Sequence, residues 1–185
     1  GPLGSGKTRF ARRLAETVPG AVFLGLDRVD NAGAAARERL AADAALARRV
    51  ERALAWLAEE GATPSDALVA LLTGLEAEGP TTLVVDMVEQ GLDGVTQEAV
   101  ITHLRHRPRA DRPLFVLTRS SAILDLTAVG AEEAIILCPA NHAVPSRVAP
   151  YPGAPGYEAV ATCLASPEVR ARSEGVVAWW PAAAG

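Results

Sequence analysis

The chain is almost without lysine. Of its 18 basic side chains, Lys7 is the only lysine and the other 17 are arginine. Arginine serves wherever any cation will do, so Lys7 marks a place that needs a slim point charge rather than a planar fork. Aromatic residues are scarce too, at 4% of a chain that is 49% hydrophobic. The core must therefore be built from alanine, valine and leucine. Positive charge is in deficit, with a net charge of −4 and an isoelectric point of about 5.4. That excludes a surface coated generally for nucleic acid; a local basic patch stays open, and with it a nucleic-acid partner. The only two cysteines, Cys138 and Cys163, have neither C-x-x-C nor metal-ligand spacing. Isolated thiols of this kind are expected to be reduced and buried, in a cytoplasmic protein. No apolar run approaches the roughly 20 residues of a membrane span, and no signal peptide is visible. The 185 residues suffice for one domain with a full core, expected over 1–185.

What is present begins at the first residue. Gly1-Pro2-Leu3-Gly4-Ser5-Gly6-Lys7-Thr8 reads G-x-x-x-x-G-K-T, the Walker A phosphate-binding loop. Small residues let the backbone curl so that its N–H groups face phosphate oxygens. The lysine reaches the β- and γ-phosphates, the threonine hydroxyl takes a Mg²⁺ position, and the next helix points its positive end at the anion. Gly1, Gly4, Ser5, Gly6, Lys7, Thr8 and Arg9 are thus the expected binding residues for ATP. The first five residues also spell what proteolytic removal of a fusion tag leaves behind. On that reading, their junction with Gly6-Lys7-Thr8 is a coincidence. A loop of this kind follows a strand, and none precedes Gly1, so the expected fold lacks its first strand within this chain.

The rest alternates strands and helices. Helical spacing continues over 9–17, with Phe10, Ala11 and Leu14 on one face and Arg9, Arg12 and Arg13 on the other. A short strand over 21–26 leads to Asp27. Residues 34–60 read as one long amphipathic helix. A second helix is expected to start with Thr63 as N-cap and Pro64 at its first position, and to run through Leu68, Leu71, Leu72 and Leu75 to Gly79-Pro80. The clearest strand is 81–86, an apolar run ending in Asp86, the Walker B pattern whose carboxylate holds the Mg²⁺ shell with Thr8. A helix over 95–107, a strand over 114–117, a short helix or turn near 123–126 and a strand over 134–137 follow. Residues 139–156, with five prolines, are expected as a long loop, and 157–185 as a helix and tail, with a last strand or docking segment at 176–180. This order predicts an α/β fold with a mostly parallel sheet, a P-loop three-layer sandwich. Ligands then bind beyond the carboxyl ends of the strands, where Asp27, Asp86 and Thr118 fall.

With both motifs placed, residues 81–137 resemble soluble ABC-type ATPases. Leu83-Val84-Val85-Asp86-Met87-Val88-Glu89-Gln90-Gly91-Leu92-Asp93 is similar to that family's Walker B and acidic segment. Leu117-Thr118-Arg119-Ser120-Ser121 is similar to its switch segment. The resemblance implies a bound ATP with Mg²⁺, and Glu89, Thr118 and Arg119 as catalytic or γ-phosphate-sensing residues. The chain departs from the family where hydrolysis is made. Met87 stands where the base glutamate belongs, Arg119 replaces the switch histidine, and Ala62-Thr63-Pro64-Ser65-Asp66 occupies the place of the signature motif. The expectation is nucleotide binding with slow or absent hydrolysis, in concert with a protein partner or a second copy. The first thirty residues also resemble small P-loop kinases, in which Asp27 would be the base and arginines such as Arg37, Arg39, Arg48, Arg49 and Arg52 a lid; a solvated helix face is the plainer meaning of those arginines. His103 and His106 are three apart but have no companion ligand, and read as surface histidines. Arg105, Arg107, Arg109 and Arg112 read as a solvated turn or as phosphate contacts. Trp179-Trp180 reads as burying against the sheet or a partner.

Overall fold

The computed structural model describes residues 4–26, 33–106, 112–139 and 143–167. Gly1, Asp27, Arg107, Arg109 and, of the expected 157–185 helix and tail, everything after 167, including the 176–180 segment with its two tryptophans, lie outside the described residues. Within them the chain is mixed α/β. Its elements are α1 (Lys7–Thr17), β1 (Ala21–Leu24), α2 (Ala34–Ala42), α3 (Ala44–Glu59), α4 (Asp66–Leu75), β2 (Thr82–Asp86), α5 (Gly94–Arg105), β3 (Leu114–Leu117), β4 (Ile135–Leu137), β5 (Ser146–Val148) and α6 (Tyr157–Cys163).

Three strands form a parallel sheet in the order β1-β2-β3. β2 is the middle strand, and each of its five residues is buried. This is why its interior, Leu83-Val84-Val85, is an unbroken apolar run rather than an alternation. The register pairs Leu24 with Val85 and Asp86 with Leu117, so the three strands end at one edge. α1 covers one face, where Ala11 packs with Phe23, Val84 and Leu117. α3, α4 and α5 cover the other, against Leu83, Val85, Leu114 and Val116. α4 is the centre of that layer: Leu68, Leu71, Leu72 and Leu75 are each no more than 1% exposed.

Four local expectations need correction. The helix expected over 34–60 is two helices. Asp43 breaks it, in extended conformation, and its Oδ1 accepts the N–H groups of Ala45 and Leu46 to cap α3; aspartate competes for backbone donors in this way. The cap of α4 is Ser65, which accepts from the N–H of Leu68 at 3.1 Å, not Thr63. Proline holds the residue before it extended, and the N–H of Thr63 donates instead to Thr96 Oγ1 at 2.8 Å. The 139–156 stretch contains β5, antiparallel to β4. That pair stands apart from the parallel sheet and closes its own small core of Ile135, Leu137, Val148 and Val160. Finally, Phe10 is 38% exposed, while its neighbour Ala11 is fully buried.

α5 begins at Asp93, whose carboxylate accepts the N–H of Thr96 at 2.8 Å. That bond, above all, holds the Asp93 carboxyl below its ordinary value of 3.8. A lowered carboxyl stabilises the fold above its unfolded value and loses that contribution as pH falls through the folded one. Asp93→Ala is expected to cost about 1 kcal/mol at neutral pH and to shrink the loss of stability on acidification. Urea unfolding at pH 7 and at low pH reads both effects.

Candidate functional site

The turn into α1 is set by glycine. Gly4 and Gly6 have φ of 76° and 79°, left-handed conformations that cost glycine nothing. Gly6 is the N-cap of α1 and uses no side-chain cap. This curl carries Lys7 inward. Lys7 is 8% exposed, and its ammonium donates to Ser5 Oγ at 3.2 Å. The Lys7 pKa lies below its ordinary value of 10.5, chiefly because burial disfavours the charge and next because Arg119 is cationic; Asp86 offsets part of this.

The first turn of α1 brings Thr8 over the end of β2. Its hydroxyl donates to Asp86 Oδ2 at 2.6 Å, across 78 positions of sequence. Asp86 is wholly buried. A hydroxyl and a carboxylate side by side suit a hard cation that keeps most of its shell from water and phosphate, as Mg²⁺ does. Among the described residues no cluster of three or more His, Cys, Asp or Glu side chains could hold a metal alone.

An open cleft of about 880 Å³ lies above the loop, lined by Ser5, Gly6, Lys7, Thr8, Met87 and Arg119. Arg9, Arg12 and Arg13 continue its wall along α1. Arg12 also stands over the Phe23 ring, 5.7 Å from its centroid, and Arg13 pairs with Glu16 at 3.1 Å. The cleft is thus strongly cationic in a chain of net charge −4. Met87 has φ of 48°. A non-glycine residue in that conformation costs about 1–2 kcal/mol, and such strain gathers at functional sites.

The expected site residues divide. Gly4, Ser5, Gly6, Lys7, Thr8, Arg9 and Arg119 line one cleft, with Asp86 beneath. Thr118 does not. It lines a separate cleft of about 610 Å³ beside β3 and α5, and its Oγ1 accepts the N–H of Ser120 at 2.9 Å. Glu89 does not line the cleft either. It is 2% exposed, and its Oε1 accepts the backbone N–H of Arg119 at 3.0 Å. Arg12 and Arg13 join the wall unforeseen, although their spacing of three and four from Arg9 puts all three on one helix face.

Among the described residues, the remaining candidates do not line this cleft. Arg37 pairs with Asp66 at 3.0 Å, and Arg49 binds the Glu76 carbonyl and the Glu78 carboxylate, each at 3.0 Å. Neither stands over the cleft as a lid would. Arg112 caps α4 through the carbonyls of Leu75 and Ala77, and Arg105 grips Glu133 at 2.7 Å. His103 lies 3.7 Å from Glu76 and 5.4 Å from the Trp56 ring centroid, while His106 binds the carbonyl of Thr102. Cys138 and Cys163 are free, the first buried and the second half-buried. Among the described residues no helix is long and apolar enough to cross a membrane. Comparison with protein-family models, with curated proteins and with solved structures finds no match.

Proposed function

We propose that this chain binds ATP with Mg²⁺ and hydrolyses it slowly or not at all, serving as a nucleotide-dependent module for a protein partner or a second copy. The observation that carries the reading is the 2.6 Å bond between Thr8 and Asp86. Two segments read independently as the halves of a Mg²⁺·phosphate site meet there, directly beneath the Lys7 loop. Chance has no reason to bring a buried carboxylate at a strand end to the one threonine that follows the one lysine.

In this reading the backbone of residues 4–8 and Lys7 hold the β- and γ-phosphates, and Thr8 and Asp86 hold the ion. The Mg²⁺ neutralises phosphate charge. Arg119 meets the γ-phosphate with its guanidinium fork. The case against fast hydrolysis is also geometric. A base must reach the attacking water. Met87 offers no acid, the Glu89 carboxylate is bonded beneath the turn, and among the described residues the only carboxylate lining the cleft is Glu16, already paired with Arg13.

Titration calorimetry of the chain with ATP and Mg²⁺, with phosphate release followed in the same samples, tests both halves. Micromolar binding with turnover well below roughly 1 per second is the expected result. No heat of binding removes the nucleotide reading, and faster turnover removes the claim of an impaired site.

A further inference from the structure

The turn after β3 is held far more tightly than a surface turn requires. On one side, buried Glu89 accepts the N–H of Arg119 at 3.0 Å. On the other, the carbonyl of Arg119 accepts the N–H of Ala165 at 2.9 Å, and the N–H of Ser121 donates to the carbonyl of Ala165 at 3.1 Å. This is a short parallel bridge centred on Ser120. Ser120 is itself fully buried and donates to Gln97 Oε1 at 2.5 Å, while Gln97 Nε2 donates to the Leu92 carbonyl. The segment that carries Ala165 is packed down as well. A Cβ on Gly94, at the start of α5, would lie 3.2 Å from Pro167 Cγ. Neither Glu89 nor Ala165 lines the cleft. Both converge on the backbone of Arg119, whose side chain lines the cleft together with Lys7.

We propose that Glu89 and residues 164–167 are positioning groups for Arg119: they clamp its peptide N–H and C=O, and so hold the guanidinium over the Lys7 loop, where it distinguishes a nucleoside triphosphate from a diphosphate. The inference rests on the nucleotide reading above. A guanidinium on a free turn must give up chain and side-chain freedom to meet a phosphate; one on a clamped turn has given it up on folding. The γ-phosphate is the only difference between ATP and ADP, so the effect of the clamp belongs to their affinity ratio. Linkage makes the effect reciprocal. A triphosphate that tightens Arg119 tightens the Ala165 bond, and residues 164–167 feel the state of the nucleotide.

Affinities for ATP·Mg and ADP·Mg, measured by calorimetry at a temperature where each variant is folded, test this. The native chain is expected to prefer ATP by roughly tenfold, which corresponds to about 1.4 kcal/mol. Arg119→Ala, Glu89→Ala and Ala165→Pro, the last lacking the donating N–H, should each bring the ratio close to one. Glu89→Gln keeps an oxygen acceptor at the same place and should keep the ratio, which a loss of general stability would not do. A native preference that survives in both Glu89→Ala and Ala165→Pro overturns the clamp and leaves the nucleotide reading standing. A native chain that binds neither nucleotide overturns the nucleotide reading, and the clamp falls with it. Amide exchange on the native chain covers the case in which the variants do not fold: the Ala165 N–H should exchange more slowly with ATP·Mg than with ADP·Mg, and equal rates overturn the proposal.

Discussion

Lys7→Ala is expected to weaken ATP·Mg binding by roughly 100-fold, the loss of about 2.7 kcal/mol that one or two charge-assisted bonds to phosphate supply. The fold should survive it. In the unliganded chain the Lys7 ammonium is buried beside a second cation, Arg119, and both effects lower its pKa below 10.5. For a lysine so shifted the unfolded chain binds more protons between the two values, so stability rises as pH climbs through the folded pKa. Alanine removes that penalty along with the charge, and the alkaline rise in stability should vanish with it. An anion in the cleft acts in the opposite sense and draws the pKa back up. Near that pH, binding to the native chain should therefore take up protons, seen as a heat that changes with the ionisation enthalpy of the buffer. Calorimetry in two buffers, with circular dichroism as the control for folding, checks all three. Unchanged affinity in Lys7→Ala would show that the loop is not a phosphate cradle.

The second large effect concerns stability alone. Leu72 lies on α4, is fully buried and sits in the main core with Leu57, Leu68, Leu83 and Val100. With few aromatic side chains to fill space, this core depends on leucines of one helix meeting strand and helix on all sides. Leu72→Ala leaves a cavity that such a crowded setting cannot close. It is expected to cost about 3 kcal/mol and to lower the melting temperature by roughly 10 °C for a domain of this size. Thermal and urea unfolding measure it. A cost under about 1 kcal/mol would place α4 outside the core. Below its melting point the variant should bind ATP·Mg as the native chain does, because Leu72 lies in the core on the sheet face opposite α1.

These two residues also show how far sequence alone reaches. Lys7 was legible because it is the only lysine and stands in a spaced motif. Leu72 was legible because apolar residues recur at the helical period. The span of β2, the helical reading of 9–17 and the existence of α5 and β3 came from the same local information, and the parallel sheet from the alternation of elements. Asp43 and Ser65 were misjudged although their signals are local. Asp43 lies inside a segment whose period runs on as helix, and its bonds to the N–H groups of Ala45 and Leu46 outweigh that pattern; Ser65 caps α4 because Pro64 holds Thr63 extended, before the helix.

The division of the site was not local. Thr118 and Arg119 follow directly on β3, and their motif alone puts both at the γ-phosphate, yet they line different clefts. Which of them faces the loop depends on which side of the sheet α1 covers. Leu117 shares the α1 face with Phe23 and Val84, so the strand leaves Thr118 to the Leu114 and Val116 side. The same non-local packing puts Glu89 beneath a turn 30 positions away, and Ala165 against Arg119. A chain records residue types and their spacing, and from these the loop, the strand end and the core helix follow. Which polar groups meet across a sheet edge depends on how distant elements pack, and no local residue type or spacing encodes that.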